Sequence, residues 1–154
     1  MTSGAKRLRV SQLVRGARTD VFRAFSDPRL ARKWGPDGCR VVSFEADMRV
    51  GGTFRETMSC DGERHVAHGV YRKIVPGKEV VFTHQWEDEQ PVETLVTVSF
   101  RAANGSTEIV LRQTGFREAR EAAGHADGWA SALAKFAKVF ASRGKRAPRS
   151  TRAR

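Results

Sequence analysis

Trp129-Ala130-Ser131-Ala132-Leu133-Ala134-Lys135-Phe136-Ala137-Lys138-Val139-Phe140 sets Trp129, Leu133, Phe136 and Phe140 at i, i+4, i+7 and i+11. That spacing makes one apolar stripe along an α-helix, and the helical pattern extends over about 115–142. Between this helix and the first forty residues the pattern changes to period two. Val42, Phe44 and Ala46 alternate with polar neighbours, as do Phe54 and Met58, then Val80, Phe82, His84 and Trp86, then Val96, Val98 and Phe100, then Ile109 and Leu111. Alternation of this kind marks half-buried antiparallel strands. The dipeptides Asp61-Gly62, Pro76-Gly77 and Asn104-Gly105, with Gly51-Gly52, are turn signals between them. They divide the segment into six strands.

Upstream, Leu8 and Val10 alternate with Arg7 and Arg9 in a first strand over about 7–15. A helix follows, with Thr19 as expected N-cap and Val21, Phe22 and Phe25 as its buried side, until Asp27-Pro28 stops it. Pro28 starts a second short helix through Leu30 to Trp34, ended by Gly35-Pro36. The acidic, proline-bearing segment 88–91 reads as a surface loop. The predicted order is β-α-α-β6-α, an α+β domain whose sheet curves and whose long terminal helix covers the concave side.

The chain has 154 residues, enough for one domain with its own core. Its formal net charge of +11 is confined to the ends. Five basic residues and no acid precede Asp20, and six basic residues with no acid lie from Arg143 onward. Removing those eleven from the 28 basic residues leaves 17, matched by 17 acidic residues in the body. Residues 1–142 therefore read as one domain and 143–154 as a basic, disordered tail. No aromatic residues are interleaved with that charge to stack on bases, so no specific nucleic-acid readout is expected. Cys39 and Cys60 have no C-x-x-C pairing and read as free thiols of a cytoplasmic protein. No signal-peptide or membrane-spanning run appears, so no membrane insertion is expected.

Several landmarks together resemble one family. Val21-Phe22-Arg23-Ala24-Phe25-Ser26-Asp27-Pro28, Lys33-Trp34-Gly35-Pro36, Gly51-Gly52-Thr53-Phe54-Arg55, Gly69-Val70-Tyr71-Arg72, Val81-Phe82-Thr83 and Gly128-Trp129 occur in the order seen in proteins similar to the C-terminal domain of activator of Hsp90 ATPase. These belong to the START-like, or Bet v 1-like, helix-grip (SRPBCC) superfamily, and the resemblance spans about 8–141. It implies a seven-stranded antiparallel sheet wrapped around the terminal helix, with a cavity between them that binds a small hydrophobic or amphipathic molecule. The extra N-terminal domain of the eukaryotic co-chaperone is missing, so chaperone activation is not implied. Gln113 stands where many relatives carry histidine.

The cavity candidates are Trp34, Phe44, Phe54, Glu56, Met58, Phe82, His84, Trp86, Val98, Phe100, Gln113, Phe116, Trp129, Leu133 and Phe136. The aliphatic and aromatic members serve equally as ordinary core. His84, in phase with Phe82 and Trp86, is an inward imidazole that hydrogen-bonds a ligand or is satisfied by a neighbouring strand. Glu56, in phase with Phe54, is either an inward carboxylate paired with an arginine or His84, or is turned outward by a bulge. Gly128 is read as permitting close backbone approach beside Trp129. His125 is read as a helix-surface or capping group, and His65 and His68 lie on opposite strand faces and make no joint metal site. No metal or cofactor motif and no catalytic constellation is present. The leading expectation is a noncatalytic binding protein. The alternatives are a polyketide cyclase or aromatase-like enzyme using His84 and Glu56, and a co-chaperone-like interaction module. A homodimer is compatible with the sequence, which holds no feature that establishes one.

Overall fold

The computed structural model describes residues 5–87 and 92–152, with side chains described through Arg143. The 88–91 loop and the last two residues of the expected tail lie outside the described residues. The elements are β1 (Arg7–Val14), α1 (Arg18–Phe25), α2 (Pro28–Ala31), β2 (Cys39–Ala46), β3 (Thr53–Cys60), β4 (Glu63–Val75), β5 (Glu79–Trp86), β6 (Thr94–Ala103), β7 (Ser106–Thr114) and α3 (Ala119–Arg152). This is the predicted order. All seven strands form one antiparallel sheet in the order β1-β7-β6-β5-β4-β3-β2, so each strand after β2 pairs with its predecessor and β1 closes onto β7. The sheet curls around α3.

The turn signals act as their chemistry requires. Asp61 and Gly62 both take positive φ (52° and 85°), as do Asn104 and Gly105 (52° and 84°). That is the backbone of the two-residue hairpin turn whose twist suits a right-handed sheet. Strand phase is interrupted twice, by register shifts between Val41 and Ser43 and between Tyr71 and Lys73. The first overturns the simple alternation expected for β2: Val41, not Val42, is buried, and the extra residue restores Phe44 to the inner side.

The helix boundaries moved. α1 begins two residues earlier than Thr19 allows as a cap, with Ala17 in the extended N-cap position and no side-chain cap bond. Asp27 caps α2 instead, accepting a hydrogen bond from the Arg29 amide beside Pro28 at the first helical position. α2 itself is one turn, ending at Ala31 rather than Trp34. α3 runs through Arg152 and not to an end near Ser142.

The two cysteines are not free. Cys39 and Cys60 face each other in the β2–β3 register, with Cα atoms 4.1 Å apart, and form a disulfide. Antiparallel pairing, invisible in a 21-residue separation, brings them together. The cytoplasmic placement drawn from free thiols loses that premise. Among the described residues, no helix is long and apolar enough to cross a membrane.

The core occupies one end of the molecule. Leu133 and Phe136 are fully buried on α3 in one cluster with Phe100, and Phe136 meets Trp34 and Phe25 edge-on at 5.1 and 5.8 Å. Val96, Val98, Ile109 and Leu111 form the sheet side of the same cluster. Toward the start of α3 helix and sheet part company, and the space between them is open.

Candidate functional site

That space is a cavity of about 810 Å³, walled by β2–β6, the α1–α2 region and residues 120–132 of α3. Ten of the fifteen candidates reach it. Trp34, Phe44, Phe54, Glu56, Met58, Phe82, His84, Trp86, Phe116 and Trp129 all line the void. Phe54 is the centre of the aromatic wall: its ring stacks near Phe44 at 6.2 Å and meets Phe82 edge-on at 5.3 Å and Tyr71 at 5.8 Å.

The remaining five do not. Val98, Phe100, Leu133 and Phe136 belong to the closed core, because the apolar stripe of α3 passes from cavity to core between Trp129 and Leu133. Gln113 is completely buried and spends its amide on protein partners. Its Nε2 donates to Thr94 Oγ1 at 2.8 Å, and its Oε1 accepts from Trp129 Nε1 at 2.8 Å. Thr94 Oγ1 donates in turn to the His84 carbonyl at 2.9 Å. Gln113 thus ties α3 to three strands.

A second tie runs through His125, which lines the cavity and is not the surface or capping group expected. Trp86 Nε1 donates to His125 Nε2 at 2.9 Å, while His125 Nδ1 lies 2.9 Å from the Glu121 carbonyl. A carbonyl only accepts and an indole N–H only donates, so Nδ1 carries the proton and Nε2 is the acceptor. Trp86 and Trp129 therefore stand as two props between sheet and helix, each anchored at its indole N–H. They hold α3 off the sheet where a fully packed core would pull it in.

The expected role of Gly128 is corrected by the same stand-off. A Cβ built there would lie 3.8 Å from Pro36 Cβ, ordinary contact, and at Gly124 it would meet nothing. The close approach is at Gly69, where a Cβ would fall 1.8 Å from the Thr83 carbonyl oxygen. Among residues the sequence reading passed over, Tyr71 was within sight: it sits in the quoted Gly69-Val70-Tyr71-Arg72 stretch. Met48 and Val80 line the void without a sequence signal that separates them from core.

The electrostatics follow from enclosure. Glu56 points into the cavity, not outward, and burial pushes its carboxyl up from 4.5 to about 7. No arginine or His84 bond to it exists among the described residues. Burial lowers the His84 imidazole from 6.5 to about 3. Burial also raises the Tyr71 phenol, and the neighbouring Glu56 charge adds to that rise. Among the described residues no group of three or more His, Cys, Asp and Glu could hold a metal ion.

The model of the family described as Activator of Hsp90 ATPase homolog 1-like protein matches residues 16–141. No curated protein matches the chain. Among solved structures, protein CV1439 from Chromobacterium violaceum is 26% identical with a TM-score of 0.79, the match covering 88% of this chain and 96% of that one. The AHSA1 protein SPO3351 from Silicibacter pomeroyi is 25% identical with a TM-score of 0.78, over 89% and 99% of the two chains. DynU16, a protein in the dynemicin biosynthetic locus, shares the fold at 19% identity and a TM-score of 0.72, over 87% of this chain and 46% of its own.

Proposed function

The chain belongs to the activator of Hsp90 ATPase homolog 1-like family, and from that premise we propose that it is a noncatalytic binding protein, taking a small hydrophobic or amphipathic molecule into the cavity under α3. The observation that carries this reading is the propped void itself. A space of about 810 Å³ with a largely apolar wall, nine of whose side chains are Phe, Tyr or Trp, is the size and character of a small-molecule site. Each 100 Å² of apolar surface a ligand buries there contributes about 2.5 kcal/mol before the costs of association.

The cyclase or aromatase alternative needs His84 and Glu56 acting as a pair. No hydrogen bond joins them among the described residues, and a base held near 3 is a poor proton acceptor at neutral pH. The interaction-module alternative calls for an exposed apolar patch, whereas the exposed large apolar residues Leu13, Val50 and Leu95 lie apart on β1, the β2–β3 turn and β6.

The test is native mass spectrometry of protein purified from its own source, with the released small molecules identified after denaturation. A stoichiometric apolar or amphipathic ligand is expected, together with a rise in melting temperature on adding it back. An empty protein that also shows no thermal shift with lipids or aromatic compounds would remove this function.

A further inference from the structure

One charged group in the cavity has no counterpart. Glu56 projects from the middle of β3 between Phe54 and Met58, opposite Phe44 on β2 and Ala67 on β4, and is enclosed by protein while facing the void. Among the described residues nothing hydrogen-bonds its carboxyl or pairs with its charge, and burial raises it. An apolar residue would fill such a position at no electrostatic cost, whereas an ionised carboxylate without a partner is strongly disfavoured there.

Other titratable groups also line the void. Tyr71 and His65 face it from β4, and His84, kept neutral, from β5. From α3 come Arg120, Glu121, His125 and Asp127, and from the loop before β2 comes Asp37. Arg120 is paired with Glu118 at 3.2 Å, and His125 is committed as an acceptor to Trp86. Asp37 is likewise paired, with Lys135 at 3.6 Å, which leaves Glu56, Glu121 and Asp127 as the cavity carboxylates without an ion-pair partner among the described residues. The inner wall beside Glu56 is aromatic, from Phe44, Phe54 and Tyr71, and aromatic faces attract cations as well as apolar groups.

We propose that the ligand is a cationic amphiphile, with a protonated amine or quaternary ammonium seated on Glu56 and an apolar body along Phe54, Phe82 and Trp86. The proposal rests on the cavity being a ligand site, and it adds the charge of the ligand. The cation supplies the counter-charge that the fold withholds, and the aromatic faces share it. A neutral ligand accepting a hydrogen bond from protonated Glu56 is the competing outcome.

The experiment uses a chain-matched set, dodecylamine, dodecyltrimethylammonium, dodecanol and dodecanoate, displacing the neutral fluorophore N-phenyl-1-naphthylamine from the full-length protein. At about pH 8 both cations should bind about tenfold more tightly than dodecanol, with dodecanoate weakest. Glu56→Gln should erase that preference, bringing both cations to within about twofold of dodecanol on the same variant. Dodecyltrimethylammonium has no proton to lose. Its affinity for the wild-type protein should therefore fall as pH is lowered from about 8 to about 5.5, following Glu56 alone, while dodecanol stays unchanged. That profile decides the question even where the variant does not fold. Equal affinity for dodecanol and the cations, or a preference for dodecanoate, would overturn the proposal while leaving the binding function standing. Failure of the fluorophore and all four dodecyl compounds to bind would instead strike at the binding function itself.

Discussion

Burial acts on Glu56 and His84 with opposite sign, because it disfavours whichever form carries charge. Glu56 binds its proton more tightly in the folded chain than in the unfolded one, so its penalty is absent below 4.5 and complete above about 7. His84 binds its proton less tightly when folded, so stability is lost as pH falls from 6.5 toward about 3. Between 4.5 and 6.5 the two slopes oppose each other. The Glu56→Gln substitution should uncover the His84 slope, up to about 1.4 kcal/mol per pH unit. Relative to wild type, the variant should gain stability progressively from 4.5 to about 7 and reach an advantage of roughly 3 kcal/mol. Urea unfolding of both proteins across that range measures it. Parallel curves would show that Glu56 is not held protonated by the fold. The inward direction of Glu56 was legible from its phase with Phe54, but its lack of a partner was not, since that depends on what four other elements bring to the void.

At the scale of elements, two features hold the cavity wall in place. The Cys39–Cys60 bond ties the β2 edge to β3, the strand that carries Glu56. Closing a loop of this length restricts the unfolded chain by about 3 kcal/mol on the entropic model. Reduction, or Cys39→Ser with Cys60→Ser, should lower stability by that order, read as a shift in urea midpoint with an unchanged slope. In the second feature, Gly69 lets β4 press against β5, with the Val70 amide donating to Thr83 Oγ1 at 2.9 Å beside it. Gly69→Ala should cost about 3 kcal/mol through displaced backbone. Gly124→Ala, on a helical turn with open space, should instead gain about 0.8 kcal/mol. Thermal unfolding of the pair checks both signs. Strand number and inward faces were readable because alternation and turn dipeptides are local signals. The phase slip at Val41/Ser43 and the Cys39–Cys60 contact were not, because both are set by the register of a partner strand. For the same reason the stripe on α3 showed a buried face without showing where core ends and cavity begins. That boundary is drawn by the indole props, through His125 and Gln113.

Across the whole molecule, charge is divided along α3. Its early turns present Glu121 and Asp127 to the cavity. Farther along, the Phe140 ring crowds Gly16, between Arg15 and Arg18 in sequence order, and Arg143 is near enough to Asp27 to lower its carboxyl together with the larger influence of Arg29. From Asp127 to Arg143 the helix rises about 24 Å, more than two Debye lengths at physiological salt. An anion attracted to the basic end and a ligand in the cavity therefore do not sense each other's charge appreciably. Ending the chain after Ser142 removes six of the positive charges, and the buried core of the described residues lies wholly before that point. The truncated protein should elute from an immobilised polyanion at lower salt, because fewer counterions are released on binding. Its stability should stay within about 0.5 kcal/mol of the full chain, and its affinity for a cavity ligand should be unchanged. A truncation that instead weakens cavity binding would mean that the last turns of α3 help set the position of its first ones, and that the helix works as one rigid lever across the sheet.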